Sequence, residues 1–379
     1  MAKRNSPPRW IWQQPDWPRF SVDQAVLATP LARTRRLQGE LLGIARLLDP
    51  QQDLAAQVEV LALEGLKTSA IEGVELDQKS VRSSLARRLG LPTAGLPRPP
   101  RAVEGLVDVL LDATQQHEQE LTLKRLAGWQ AAIFPTGRSG LHEIRVGKLR
   151  GKSPMRIVSG PAGRERVHYV APPQERLAAE MRAFLNWFEK PPTGLDGLVR
   201  AGIAHAWFEL VHPFEDGNGR VGRALLDMAL AQDERRSTRL YSMSARFMDV
   251  RDEYYAALER TSSGSLDVTH WVVWFLEQVE AAIRASESIV SSVLTKTRFW
   301  MRHSRTEVNE RQLKALGRML DALPAGFTGG MTNRKYAHLT GASPATSQRD
   351  LADLVAKKYL VLRGAGRSAR YELADAGLL

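Results

Sequence analysis

Twelve consecutive residues, His212-Pro213-Phe214-Glu215-Asp216-Gly217-Asn218-Gly219-Arg220-Val221-Gly222-Arg223, constrain this chain more than any other stretch. Pro213 closes whatever helix comes before it, because the residue preceding a proline disfavours helical backbone. Gly217-Asn218-Gly219 then makes a turn whose successive N–H groups can face one concavity. The apolar spacing of Val221, Ala224, Leu225, Met228 and Ala229 starts a buried helix immediately afterwards. The pattern is helix, turn, helix, with the positive end of the second helix aimed into the turn. The first helix is expected over 196–211, burying Leu198, Ile203, Trp207 and Leu210 and leaving His212 at its mouth.

Each polar residue of the stretch suits phosphoryl-type transfer. Arg220 and Arg223 are three apart, so they share a helix face and can grip phosphate oxygens. Asp216 is a hard oxygen ligand suited to Mg²⁺. His212 is the group whose ordinary pKa lets it accept a proton near pH 7. A corner with a surface histidine and solvated arginines would explain any one of these elements, but not all of them in this order.

The stretch resembles the signature of the Fic family, His-x-Phe-x-(Asp/Glu)-Gly-Asn-Gly-Arg-x-x-Arg, at every fixed position. The resemblance implies a mainly α fold with a Fic-type helical core, and the activity of a protein adenylyltransferase. In that reading His212 is the catalytic base, deprotonating a Ser, Thr or Tyr hydroxyl that attacks the α-phosphorus of ATP and expels pyrophosphate. Gly217, Asn218, Gly219, Arg220 and Arg223 bind the ATP phosphates, and Asp216 holds Mg²⁺ between the α- and β-phosphates. Asn218 is expected to fix the turn by bonding its own backbone, and Phe214 to anchor the loop in the core. Tyr241 and Tyr254 are candidates to pack on adenine, and His205 reads as a satisfied core histidine. Fic relatives also transfer phosphate or phosphocholine and remove AMP. Those alternatives stay open, as does a DNA-binding regulator that uses the core as an ATP sensor.

A second motif, Thr68-Ser69-Ala70-Ile71-Glu72-Gly73, reads as the end of a helix starting near residue 53 and closed by Gly73. It is similar to the family's inhibitory motif, (Ser/Thr)-x-x-x-Glu-(Gly/Asn). The resemblance implies that Glu72 pairs with Arg223 and keeps the γ-phosphate from its productive pose, since an arginine held bidentately by a carboxylate is unavailable to phosphate. Inhibition would then come from within the chain.

Charge adds a further pointer: 53 Lys+Arg against 42 Asp+Glu gives a net +11, which favours polyanionic partners. The absence of cysteine excludes disulfides and thiolate metal sites. No apolar leader opens the chain and no apolar run approaches 18 residues, so a cytoplasmic protein with no membrane span is expected. Four segments are expected: an N-terminal helical domain with the inhibitory motif (1–95), a Fic catalytic core (101–265), a helical bridge (266–305) and a winged-helix module (306–379). The first opens on Trp10, Trp12 and Trp17, read as an irregular lid, and a Gly- and Pro-rich linker spans 90–100. Inside the core, the runs 155–158 and 166–170 flank Gly160-Pro161-Ala162-Gly163, a hairpin signal. In Fic proteins such a hairpin is a flap that aligns the target segment.

In the last module, helices are expected over 333–339 and 344–357, joined by Thr340-Gly341-Ala342-Ser343. Ser343 is the N-cap and Pro344 the first helical residue. A hairpin follows, flanking 363–368. This order resembles a winged helix. Ser343, Thr346, Ser347, Gln348 and Arg349 would reach base edges, and Arg363, Arg367 and Arg370 would reach phosphates. Asp350 and Asp353 count against DNA, so docking to a protein stays open, and so does a homodimer.

Overall fold

The computed structural model describes residues 9–91, 96–159, 164, 166–237, 239–303, 306–320, 322–323 and 326–374. They are mainly helical, as expected, and divide into two compact units, Met1–Ser286 and Glu287–Leu379. Among the described residues, no helix is long and apolar enough to cross a membrane.

The first unit opens on the tryptophan-rich segment, which packs as a lid. Trp10 meets Tyr169 edge-on, Trp12 Nε1 donates to the Val170 carbonyl, and Trp17 rests edge-on against Trp207. Three helices follow: α1 (Gln24–Ala45), α2 (Pro50–Ile71) and α3 (Gln78–Arg88). Each starts behind an aspartate, Asp23, Asp49 or Asp77, whose carboxylate accepts N–H groups of the first turn. Asp49 with Pro50 sets the start of α2, three residues before the expected position. Of the expected linker, 92–95 lie outside the described residues, and 96–100 have no regular secondary structure.

Next come α4 (Arg101–Gln115) and α5 (Leu123–Ile133), then two short hairpins. β1 (Arg138–Ser139) pairs with β2 (His142–Glu143), and β3 (Arg156–Ser159) pairs antiparallel with β4 (Arg166–Val170). The second hairpin is where the sequence places it, with a bulge between Ile157 and Val158. Its turn, 160–163, lies outside the described residues. The unit continues with α6 (Gln174–Glu189), α7 (Gly197–Val211), α8 (Asn218–Glu234), α9 (Met243–Asp249) and α10 (Arg251–Ser263), and then the start of α11 (Thr269–Arg302).

α7 is buried on nearly every side, which its apolar residues all around the helix require. Gly202 makes close packing possible, because a Cβ there would lie 2.7 Å from the Phe275 ring. Trp271 Nε1 donates to the Gly202 carbonyl from the same side. The N-terminal helices are bound into this unit by polar contacts. Arg35 pairs with Asp196 and Asp233, and Glu64 accepts from the Ser242 hydroxyl and the Ser244 N–H. The expected boundary at 95–101 therefore separates two sequence segments of one compact unit.

The second unit contains α12 (Glu310–Leu320), α13 (Asn333–Thr340), α14 (Pro344–Ala356) and the antiparallel pair β5 (Leu360–Arg363) and β6 (Arg370–Leu373). Leu316, Met319, Tyr336, Leu351, Leu354 and Tyr359 form the centre of its core. Gly341 ends α13 in the left-handed region, and the Ser343 hydroxyl caps α14 at the Thr346 N–H. Met331 adds a bridge to Tyr371 on the edge of the hairpin.

Two expectations for this unit change. Ser347 is fully buried and its hydroxyl donates to the Ser343 carbonyl, so it cannot reach a base edge. Asp350 is buried and accepts from Arg311, Asn309 and Tyr336, while Asp353, half exposed, accepts from Gln312 and Lys357. The side chain of Arg367 lies outside the described residues.

Candidate active site at the end of the central helix

The carbonyls at the C-terminal end of α7 are capped from outside the helix. The Tyr169 hydroxyl donates to Leu210 O at 2.7 Å, and Arg150 Nε to His212 O at 2.8 Å. Arg150 Nη2 also donates to Pro172 O, and its backbone N–H reaches Pro213 O at 2.9 Å. Arg150 is buried, and the acceptors of its side chain are carbonyls, so the negative end of α7 supplies its compensating charge. These bonds, with Pro213, hold His212 in the left-handed region at φ 50°, which a residue other than glycine rarely adopts.

His212 Nδ1 lies 3.2 Å from the Glu209 carbonyl, so the hydrogen belongs on Nδ1 and Nε2 is the acceptor. Burial first, and then nearby Arg150, pushes its pKa down to about 4. The imidazole is therefore neutral at pH 7 and able to take a proton.

The loop beyond His212 is built to leave space. Phe214 is buried, and the Asn218 side chain clamps it, accepting from Phe214 N and donating to Phe214 O, both at 2.9 Å. Asn218 thus fixes the turn through Phe214 and not through its own backbone. Gly217 has φ 85°, and a Cβ there would lie 2.7 Å from the Phe134 ring. Asp216 accepts from Gly217 N at 2.5 Å and from the Ser139 hydroxyl. Glu215 ties in the segment before β3 by accepting from Arg145 N at 2.8 Å.

An anion already lies on the first turn of α8. A Cβ at Gly219 would sit 2.1 Å from Glu72 Oε1, so only glycine lets that carboxylate approach. Glu72 Oε1 accepts from Arg223 Nη2 at 2.7 Å, and Thr68 supplies Arg223 with two more acceptors, its hydroxyl at 2.7 Å and its carbonyl at 2.9 Å. The expected Glu72–Arg223 pair is present, but through one carboxylate oxygen and not bidentately. Thr68 was not assigned a role from sequence, although its spacing four before Glu72 puts both on one helix face. Burial opposes the charge on Glu72, yet Arg223, Arg220 and His212 together hold its pKa below the ordinary value. Arg220 stacks over the Phe134 ring at 4.6 Å, and no carboxylate among the described residues pairs with it.

Glu209 was also missed. It lies one turn before His212, against Gly222, where a Cβ would lie 2.3 Å from its Oε1. That oxygen is buried without a hydrogen-bond partner, and burial raises the pKa to about 8 despite Arg223 nearby. His205 is the core histidine expected: Nδ1 faces Gly222 O, Nε2 faces the Tyr254 hydroxyl, and burial pushes its pKa to about 3.

The two tyrosines proposed for adenine are elsewhere. Tyr241 is buried and donates to Glu234, the last residue of α8. At a rise of ~1.5 Å per residue, that end lies roughly 24 Å from the N-terminal turn where the phosphates would be. Tyr254 is buried, stacked on Phe247 at 4.5 Å and bonded to His205. Spacing in sequence could not reveal that both rings turn into the core.

The comparisons with known proteins agree with this geometry. Residues 120–230, which contain His212, the glycine turn and both arginines, match the Fic/DOC family. The chain carries a Fic/DOC domain. Ahead of the Fic domain, residues 10–91 match a family described as Domain of unknown function (DUF4172). A probable protein adenylyltransferase of Aquifex aeolicus is 33% identical over 97 residues, covering 26% of this chain and 28% of that protein. A protein adenylyltransferase, fic-1, of Caenorhabditis elegans is 31% identical over 111 residues, covering 29% and 20%. The match spans less than a third of each of these relatives. Among solved structures, a Fic family protein from Desulfovibrio desulfuricans G20 aligns with a TM-score of 0.51 at 20% identity, covering 93% of this chain and 97% of that one. C. elegans Fic-1 aligns with a TM-score of 0.50 at 20% identity, covering 71% and 74%. These likenesses show the fold.

Proposed function

We propose that the Fic domain transfers AMP from ATP to a Ser, Thr or Tyr hydroxyl of a target protein, and that Glu72 holds the resting chain inactive. One observation carries this reading: a carboxylate occupies the N-terminal turn of α8 and is bonded to the arginine beneath it. A helix N-terminus flanked by arginines is an anion site, and Glu72 is the anion that fills it at rest. The names of the matched relatives supply the nature of the transferred group.

Neutral His212, with Nε2 as acceptor, takes the proton from the attacking hydroxyl. The hydroxyl oxygen bonds to the α-phosphorus, and the bond to the β-phosphate oxygen breaks to release pyrophosphate. The α8 N-terminus, Arg220 and Arg223 hold the phosphates, so catalysis is chiefly positioning and charge stabilisation. Asp216, steadied by Ser139 and Gly217, offers the carboxylate that would hold Mg²⁺. When bound, the ion offsets phosphate charge, with one carboxylate and the substrate's oxygens as typical partners. The target segment would add as a strand beside β3, where Ile157 and Val158 are exposed. Arg150 joins Pro172, just beyond β4, to His212, so the hairpin and the base are placed together.

Intact-mass spectrometry after incubation with MgATP tests the transferred group. The Glu72→Gly chain should gain the mass of AMP, on a hydroxyl side chain. Gain of a phosphate alone, or no adduct on the chain or on any protein of a cell extract, would overturn the assignment.

A further inference from the structure

The excess positive charge is unevenly placed. Residues 287–379 hold 15 lysines and arginines against 8 aspartates and glutamates, so seven of the eleven excess charges lie in about a quarter of the chain. The Fic domain belongs to the other unit, and AMP transfer makes no demand on this charge.

Inside the second unit, hydrogen bonds draw the two acids of α14, Asp350 and Asp353, toward α12. One side of α14 exposes Ala345, Gln348, Arg349, Ala352 and Ala356, and Asp353 at its edge, half exposed, is paired with Lys357. Three elements converge beside its first turn. Asn333 Nδ2, at the start of α13, donates to the Pro344 carbonyl at 3.2 Å. Two residues earlier, Met331 bridges to Tyr371 on β6. Gly330 lies so close to Arg370 that a Cβ there would meet its side chain at 3.0 Å. Arg334 on α13, Arg349 on α14 and Arg370 on β6 are thus gathered by the backbone that joins them. Arg334 and Arg349 are exposed and pair with no carboxylate among the described residues. Arg363 and Arg370 share Glu372 in exposed ion pairs, which are weak enough for phosphate to displace.

We propose that this face binds duplex DNA, with the first turns of α14 in the major groove and with Arg334 and the β5–β6 hairpin on flanking phosphates. Gln and Arg are the side chains that read adenine and guanine edges through paired hydrogen bonds, and Gln348 and Arg349 stand side by side on the exposed helix. The alanines around them keep the helix slim enough for a groove about 12 Å wide. A protein-docking helix would centre on large apolar or aromatic side chains, and the exposed side of α14 has none.

Fluorescence anisotropy of the full chain with labelled duplexes, titrated between about 50 and 200 mM salt, tests the proposal. Each phosphate contact contributes about −0.9 to the log–log slope of affinity against salt. Arg334, Arg363 and Arg370 together predict a slope near −3, and Arg334→Ala or Arg370→Ala should each flatten it by about one. Arg349→Ala should narrow the difference in affinity between duplexes of different sequence. Arg87→Ala, exposed on α3 in the first unit, should change nothing. Undetectable binding at about 50 mM salt would overturn the proposal. So would an Arg87→Ala effect equal to that of Arg370→Ala, which would mean diffuse adsorption of a polyanion. Neither result depends on AMP transfer.

Discussion

Arg150 donates to the carbonyls of His212 and Pro172 while Tyr169 holds that of Leu210, so a buried guanidinium spans the end of α7 and the exit of the hairpin. Its charge also helps keep His212 neutral. Replacing it with methionine removes both effects. Burial, the larger cause of the depressed pKa of His212, remains, so that pKa should rise only part of the way from about 4. A base with a raised pKa is protonated over more of the acid range, so the acid limb of kcat/KM must move upward. In a Glu72→Gly background, Arg150→Met should move that limb toward neutrality and lower kcat by roughly 10- to 100-fold, the cost of a base displaced by about 1 Å. A merely structural role would lower Tm and leave the pH profile in place. Arginine 150 sits in no motif, and its acceptors are backbone carbonyls, which sequence patterns do not display. Thr68 was within reach, since it opens the inhibitory motif at helical spacing from Glu72. Nothing in the spacing around Glu209 sets it apart from any other polar residue of an apolar helix.

Among the elements, those with local signals were legible. α7, α8, the β3–β4 hairpin, α13 and α14 are announced by caps, prolines, glycines and apolar periodicity, and each lies within a few residues of its expected place. Contacts decided by tertiary packing were not legible. Tyr241 follows α8 closely in sequence, but the length of that helix carries it to the end opposite Gly219 and Arg220. The same holds for α2, whose grip on the Fic domain depends on Glu64, buried and bonded to the cap residue of α9. Glu64→Ala leaves the Ser244 N–H buried without its acceptor, at a cost of about 1–3 kcal/mol. Thermal unfolding should show a Tm lower by several degrees, at ~2–4 °C per kcal/mol for a unit of this size. An unchanged Tm would mean that α2 is held by its apolar face alone.

For the molecule as a whole, Glu72 and Arg223 are 151 residues apart in sequence, yet they meet because the N-terminal helices and the Fic domain share one compact unit. On the proposed reading, the N-terminal segment is both scaffold and inhibitor. Glu72 is charged at neutral pH, because Arg223 outweighs the opposing effect of burial and holds its pKa below the ordinary value, so the pair is lost only as pH falls through that lowered pKa. Neutral pH therefore cannot release it, and release requires movement of the last turn of α2. The most direct measurement is the rate of label transfer from ATP into protein for the wild-type, Glu72→Gly and Glu72→Gly/Arg223→Ala chains. The account predicts at least a tenfold rise for Glu72→Gly, equivalent to about 1.4 kcal/mol. The gain should be lost in the double variant, because the freed arginine is what the phosphates need. Equal rates for wild-type and Glu72→Gly, with His212-dependent transfer in both, would contradict it.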